Sequence, residues 1–570
     1  MRKSLNLISE HPLVILITAG SLVFFNGLFG NFVSDDVSQL VENPIVQSMR
    51  NIGNFFTSST FYNGGNLEGT FYKPLQSTIF SVIYSFFGAN PFFFHLFQLI
   101  VHIASAYLLY LVLKHFFRNI PALILALIFL VHPINSQAVF YISATQDILF
   151  FFFGILALYI TTTFKSKKNL ILVALFLFLS LLSKETGIAF SIITACYVLL
   201  YDRKRFNSLF LCIMMVFAFY LLLRINAVGL LTKSSAAPIT KADFMSRLMT
   251  MPFILFTYLR IFIFPLFLSS SYQWIITTIS FSKFILPLLV DILFIVVSTC
   301  YLIFLRRRKS EGFKSFLFFF IWFWIGIFIH IQIIPLDVSL AERWFYFPIV
   351  GLLGMVGIFL ESVHLKIENK WLIVVAVVLL VVLSTRTIMR SFDWKDNFTL
   401  ATHDVKVSPD SYELENSISY ELINRGKFDQ ALVHEERSIQ LFPYYTNYLN
   451  LGAIYFNLGD YERAKEAYFR SISFGDYYQT YEGLGGLTLV SGDVKDNIVF
   501  LNKALKKFPR DAKLWLFLAI VQYRNGEVDV AKNSINTAYK YDQGNAFVYK
   551  KIMNNEPLDL KIQGAHLEIN

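Results

Sequence analysis

The sequence predicts an all-α chain in two parts, a polytopic membrane region followed by a water-soluble superhelix of helical repeats. Three observations predict it. Hydrophobic residues make up 55% of the chain and charged residues only 15%, where a soluble domain carries about a quarter charged residues. The apolar residues come in runs of membrane-crossing length before about Arg390, and the charged residues gather after it. Beyond Ser408 the sequence resembles itself at intervals of 33, 33 and 34 residues, marked by Gly426, Gly459, Gly492 and Gly526.

A helix needs about 20 apolar residues to cross the hydrocarbon core. Runs of that kind lie near 12–30, 93–117, 119–135, 146–164, 168–183, 186–201, 206–224, 283–305, 313–334, 345–362 and 370–390. Two more, near 74–88 and 249–268, are short or interrupted, the second by Arg260 and Pro265. These two are expected to be re-entrant or interfacial helices. Arg2 and Lys3 precede the first run and no small-residue cleavage site follows it, so it reads as an uncleaved span entering from the cytoplasm.

Charge sets the orientation, because Lys and Arg accumulate in cytoplasmic loops. With about eleven crossings, the clusters Lys114/Arg118, Lys165/Lys167/Lys168, Arg203/Lys204/Arg205, Arg306–Lys309 and Lys366/Lys370 all fall on the cytoplasmic side. Counting only one of the irregular runs as a crossing would invert every cluster after it. The opposite face then receives the loop 31–73, the turn 132–145, Lys184-Glu185, the loop 225–248, the stretch 335–344 and the repeat region. Basic clusters beside spans account for the net charge of +10, so nucleic acid is not an expected partner. Cys196, Cys212 and Cys300 lie in apolar stretches without metal-ligand spacing and are expected as buried filler.

In the repeat region Ala431, Ala464, Asn497 and Ala531 share one register, and Pro443 and Pro509 close two of the units. Leu451-Gly452, Leu484-Gly485 and Leu518-Ala519 supply a small-residue step that lets paired helices approach. A period of about 34 with a helix–turn–helix pattern resembles tetratricopeptide repeats (TPR). Four units over 412–545 exceed the minimum of roughly three for a stable stack. Such a stack offers a concave face for peptide or protein, the alternative being a passive spacer. The expected domains are a membrane region 1–392 with its first outer loop 31–73, a linker 393–411, the repeats 412–545 and a tail 546–570.

Charged residues beside or inside a membrane are costly to place. The topology collects Asp35, Asp36, His132, Asp147, Lys184, Glu185, Asp337, Glu342 and Arg343 on one face, with Arg260 in the interrupted helix. A carboxylate there can act as a general base, and cations can hold an anionic phosphate.

These residues stand in recognisable stretches. Gly30-Asn31-Phe32-Val33-Ser34-Asp35-Asp36 with Asn43-Pro44 is a double-aspartate motif, and Tyr72-Lys73-Pro74-Leu75 follows. Then come Pro91-Phe92 with His95-Leu96 and His102, Val131-His132-Pro133 through Tyr141-Ile142-Ser143, Leu182-Ser183-Lys184-Glu185, and Ala341-Glu342-Arg343-Trp344-Phe345-Tyr346-Phe347-Pro348. In this order they resemble the transmembrane-and-TPR (TMTC-type) O-mannosyltransferases and their bacterial relatives over nearly the whole chain. The chain departs from that pattern with Lys73 and Gln146, where the family has Arg, and with Ser271 where it often has Asp.

The resemblance implies a GT-C glycosyltransferase fold of about eleven membrane helices. It implies transfer of mannose or another hexose from a polyprenyl-phosphate carrier to a hydroxyl of a protein acceptor, on the non-cytoplasmic face. Asp36 is then expected as the general base, with Asp35 orienting it. Lys184, Arg260 and Arg343 are expected on the leaving phosphate, with Glu185, Asp147, His132 and Glu342 as further donor-site groups. No cofactor is implied with certainty; were a divalent metal to take part, Asp35 and Asp36 would hold it. The partners implied are membrane lipid, the lipid-phosphate sugar and a protein held by the repeats. A bacterial inner membrane is favoured over the endoplasmic reticulum. Two rivals are weaker: a transporter lacks the inverted-repeat hydropathy such folds show, and a scaffold would need only one span.

Overall fold

The fold is that of a computed structural model, which describes residues 10–62, 71–229, 237–362, 370–558, 560–563 and 566–569. The described chain divides into two compact units, Met1–Phe61 with Gly69–Pro409 and Tyr62–Glu68 with Asp410–Asn570.

The described part of the first unit is mainly helical, with irregular stretches at 264–280 and 331–341 that meet in a single antiparallel bridge between Tyr272 and Leu340. Its principal helices are Pro12–Phe24, Pro74–Phe87, Pro91–Leu113, Asn119–Val131, Thr145–Thr163, Leu170–Ser183, Ile188–Tyr201, Phe206–Val228, Phe244–Ile263, Leu286–Arg307, Gly312–His330, Pro348–Ser362 and Lys370–Asp393. Prolines open several of them, at the position where a missing N–H costs nothing. Before Pro91 the Asn90 side chain accepts the Phe92 N–H at 3.2 Å, and before Phe244 the Asp243 carboxylate accepts the Ser246 N–H at 2.8 Å.

Every expected crossing is a helix. Among the described residues eight helices are long and apolar enough to span a bilayer, or up to nine if the bent pair Asn119–Val131 and Pro133–Phe140 counts as one span. Three of the expected crossings, Leu170–Ser183, Ile188–Tyr201 and Pro348–Ser362, are shorter, at 14, 14 and 15 residues. The run near 249–268 differs from expectation. Phe244–Ile263 is one unbroken helix of 20 residues, with Pro252 inside it, Arg260 in its last turn and Pro265 beyond its end. Lys366 of the last basic cluster lies outside the described residues. Cys196 and Cys212 are half-buried and Cys300 is exposed on its helix, so none is the buried filler expected.

Exposed apolar side chains cover the outer faces of several helices, among them Leu222, Leu293, Val375 and Val382. Water would penalise such a surface and lipid does not. Inside, Phe129, Phe151, Phe190, Trp322 and Tyr346 form a buried aromatic centre. Gly312–His330 and Pro348–Ser362 pack closely because Gly351 has no side chain; a Cβ there would come within 2.4 Å of the Phe323 backbone nitrogen. That close pair carries the turn Glu342–Tyr346 between its helices.

The second unit is a stack of helix pairs: Tyr412–Asn424 with Phe428–Leu441, Tyr445–Asn457 with Tyr461–Ile472, Tyr478–Leu487 with Val494–Lys507, and Ala512–Arg524 with Val528–Tyr541. Gly426, Gly459, Gly492 and Gly526 turn the chain within each pair at φ of 69°, 79°, 89° and 84°, a region only glycine enters freely. Ala431, Ala464 and Ala531 are fully buried where the helices cross. Asn497, the exception in that register, instead donates to the Thr488 and Ser491 carbonyls, each at 3.0 Å. The residues expected as a tail open with a further helix, Ala546–Met553. Its Val548 and Ile552 join the core of the last repeat, as a terminal cap does. A short antiparallel hairpin, Leu560–Gln563 with His566–Ile569, is an exception to the all-helical pattern.

Candidate active site

The double-aspartate loop leaves the first helix through a short helical turn, Phe25–Phe29. At Ser34 the backbone enters the left-handed region, φ 50°, and the two aspartates then point to different environments. Asp36 is fully buried and Asp35 is exposed. Asp36 Oδ2 accepts the Val33 N–H at 3.0 Å, while Oδ1 accepts both the Ser143 N–H at 2.7 Å and the Ser143 hydroxyl at 2.6 Å. Burial pushes the Asp36 carboxyl up to about 7, against the pull of those three donors. The Asp35 backbone N–H donates to the Tyr141 hydroxyl at 3.3 Å, and the Arg343 guanidinium lies over the Tyr141 ring, 5.7 Å from its centroid.

Cations gather around Asp147, which stands in the first turn of Thr145–Thr163. Lys184 Nζ donates to Asp147 Oδ1 at 2.5 Å, and Arg343 Nε lies 3.8 Å from Oδ2. Among the described residues neither Oδ2 of Asp147 nor Nε of Arg343 has a hydrogen-bond partner, though both atoms are buried. Lys73, placed by the start of Pro74–Phe87, feels Lys184, Asp147, Asp337 and Arg343. Burial, helped by the Lys184 charge, brings its ammonium down to about 8. Burial also lowers Lys184, against the attraction of Asp147. Asp337 is raised by burial, with Lys73 and Arg343 opposing and Asp35 adding to the rise. Asp35, Asp337, Lys73, Lys184, Asp147 and Arg343 thus form one electrostatic cluster.

Four residues expected at the site hold other positions. His132 is buried, its Nε2 3.0 Å from the Phe262 carbonyl and its Nδ1 accepting the Ile134 N–H at 3.2 Å. Both ring nitrogens are therefore used by backbone. Glu185 turns to Arg224, at 2.8 Å, although it follows Lys184 directly. Glu342 points opposite to its neighbour Arg343, accepting the Ser269 N–H at 2.7 Å and the Tyr272 hydroxyl at 2.9 Å. Its carboxyl is pushed up to about 7 by burial, with Arg390 pulling it down. The Arg260 side chain, half-buried, makes no ion pair among the described residues.

Lys73, Tyr141 and Ser143 stand in the motif stretches and Asp337 among the charges expected on the same face, but the sequence assigns none of them a role in the site. Lys73 has two signals, its place in the Tyr72-Lys73-Pro74-Leu75 stretch and its position as a cation just before a proline-opened helix. Asp36 gives Oδ1 to two donors and Oδ2 to one. Among the described residues no group of three or more His, Cys, Asp or Glu side chains is placed to hold a metal ion.

Comparison with known proteins adds a similarity. Residues 73–226 match the model of the dolichyl-phosphate-mannose-protein mannosyltransferases, and residues 445–473 match a tetratricopeptide repeat model. The chain is 24% identical over 457 residues to the Caenorhabditis elegans "Protein O-mannosyl-transferase F38B6.6", covering 76% of this chain and 63% of that protein. It is 24% identical over 500 residues to human "Protein O-mannosyl-transferase TMTC3", covering 79% of this chain and 54% of the relative. A shorter stretch of 153 residues is 33% identical to human "Protein O-mannosyl-transferase TMTC1", covering 26% of this chain and 17% of that one. The chain therefore spans between about half and just under two thirds of the length of its first two relatives. With matches in both the membrane region and the repeats, the chain is similar to the transmembrane-and-TPR (TMTC-type) O-mannosyltransferases.

Proposed function

We propose that this chain is a membrane glycosyltransferase that moves mannose from a polyprenyl-phosphate carrier to a hydroxyl of a protein acceptor, on the non-cytoplasmic face. The observation that carries the reading is a cluster of the cations Lys73, Lys184 and Arg343 about Asp147 and Asp337, with the exposed carboxylate Asp35 joined to it through Asp337. The names of the relatives supply the sugar and the protein acceptor. The description of the matched family supplies the lipid-phosphate donor.

In the reaction the acceptor oxygen attacks the anomeric carbon while the bond from that carbon to the phosphate oxygen breaks. The acceptor proton goes to a carboxylate and the electron pair leaves with the phosphate. Asp35 takes the proton in this reading, because its side chain is exposed while Asp36 is buried and accepts three hydrogen bonds from Val33 and Ser143. Asp36 holds the loop. Lys73, Lys184 and Arg343 neutralise the charge that develops on the departing phosphate. The unpartnered Nε of Arg343 gains an acceptor when phosphate arrives, and Asp147 keeps two of the cations in place. His132, Glu185 and Glu342 support the surrounding structure, and the repeats hold the acceptor polypeptide.

The test is mannose transfer from a polyprenyl-phosphate donor, in membranes bearing wild type or Asp35→Asn at matched protein levels. Removing general-base assistance costs about 10²–10⁴ in rate. Near-normal transfer by Asp35→Asn would defeat this assignment.

A further inference from the structure

The segment after the last membrane helix reaches both halves of the candidate site. Arg390, in the last turn of Lys370–Asp393, is wholly buried. Its Nη1 and Nη2 donate to the two oxygens of Asp404 at 2.6 and 2.9 Å. Asp404 ends the helix Asn397–Asp404 and accepts the Ser270 N–H at 2.6 Å. The Ser270 carbonyl accepts the Gln137 amide at 2.9 Å, and the Gln137 carbonyl oxygen accepts the Arg343 N–H at 3.0 Å. A line of hydrogen bonds therefore runs from Arg390 to the backbone of Arg343. Removing one partner of such a buried ion pair is strongly destabilising, so this end of the segment is not free to detach.

The same segment holds the carboxylate loop. The Lys395 carbonyl accepts the Asn31 N–H at 2.9 Å, and Asn397 Oδ1 accepts the Ser34 N–H at 3.3 Å. Trp394 packs 6.0 Å from the Tyr141 ring, whose hydroxyl accepts the Asp35 N–H. The left-handed backbone of Ser34 is sparsely populated for a serine and persists only where surroundings hold it.

We propose that Ser391–Asp404 is a tie across the active face that sets the distance between Asp35 and the cations, with Arg390 and Asp404 as positioning residues. Its consequence for sugar transfer rests on the function proposed above; the tie itself rests on the hydrogen bonds alone. Residues 393–404 of the expected linker are, on this account, part of the catalytic apparatus.

The test uses the full chain in detergent or nanodiscs, as Arg390→Lys and separately as Asn397→Ala. Lysine keeps the charge and loses the two-pronged grip. Amide exchange in Arg390→Lys accelerates at both 31–38 and 269–273, with the repeat helices unchanged. Transfer per folded molecule falls about tenfold to a hundredfold, mainly in kcat, as misplacement of reacting groups dictates. Asn397→Ala accelerates exchange at 31–38 and slows transfer less. It also decides the question if Arg390→Lys does not fold. Exchange unchanged at the carboxylate loop in every variant that folds overturns the tie. If wild type itself transfers no mannose, the functional reading fails, while the exchange data still decide the tie.

Discussion

Ser143 holds one oxygen of Asp36 twice, through its backbone N–H at 2.7 Å and its hydroxyl at 2.6 Å. With Val33 on the other oxygen, Asp36 works as a fastener between the first outer loop and the start of a membrane helix. Asp36→Asn puts an amide donor against these N–H groups, and should cost about 1–3 kcal/mol of stability. Asp35→Asn should leave thermal unfolding unchanged and remove transfer. Melting curves in detergent and transfer per folded molecule separate the two. If Asp36→Asn melts like wild type and Asp35→Asn transfers normally, the two roles are exchanged.

Lys73 gives the donor site a pH dependence. Its ammonium titrates at about 8, below the ordinary lysine value, so its charge is present at neutral pH and lost as pH rises through 8. Binding of polyprenyl phosphate should therefore weaken from pH 7 to pH 9, although bound phosphate itself raises the Lys73 value and stretches the decline upward. Lys73→Arg should flatten part of it, the remainder belonging to Lys184. An identical pH profile in the variant would remove Lys73 from the phosphate site.

Arg343→Ala should weaken the donor about tenfold to a hundredfold, the worth of one charge-assisted contact, with little effect on acceptor KM. Arg343→Lys should recover only part, since an ammonium lacks the planar fork. Donor affinity unchanged in both variants would leave Arg343 as a structural neighbour of Asp147 and Tyr141.

Two truncations distinguish linker from tie. A chain ending at Pro409 keeps Asp404 and should transfer mannose to a short peptide while losing protein acceptors, because the repeats contribute local concentration. A chain ending at Asp393 leaves Arg390 buried without Asp404, costing about 3–5 kcal/mol, and should not transfer at all. Equal activity in the two would return 394–409 to the status of a spacer.

Topology has its own check. Eleven crossings with the N-terminus inside predict the repeats outside the cytoplasm, and on that topology Ser491→Cys should react with an impermeant thiol reagent from the non-cytoplasmic side. Labelling from the cytoplasmic side alone would reverse the topology and the face on which the site lies.

The sequence by itself determined the two-part build. Runs such as Leu170–Ser183 and Lys370–Asp393 have no stable home in water, and the glycines from Gly426 to Gly526 stand where only a left-handed turn closes a helix pair. Both signals are local and periodic, so they can be read without knowing what packs on what. The sequence also put Asp35, Asp36, Asp147, Lys184 and Arg343 on one face by counting spans. Tertiary structure alone decided which aspartate is exposed, because Asp36 owes its burial to Ser143, more than a hundred residues away. It alone joined Lys73 to the cations and turned Glu185 and Glu342 away from them. It alone paired Arg390 with Asp404. Side-chain direction in a turn, and hydrogen bonding between segments distant in the chain, depend on packing that no local pattern encodes.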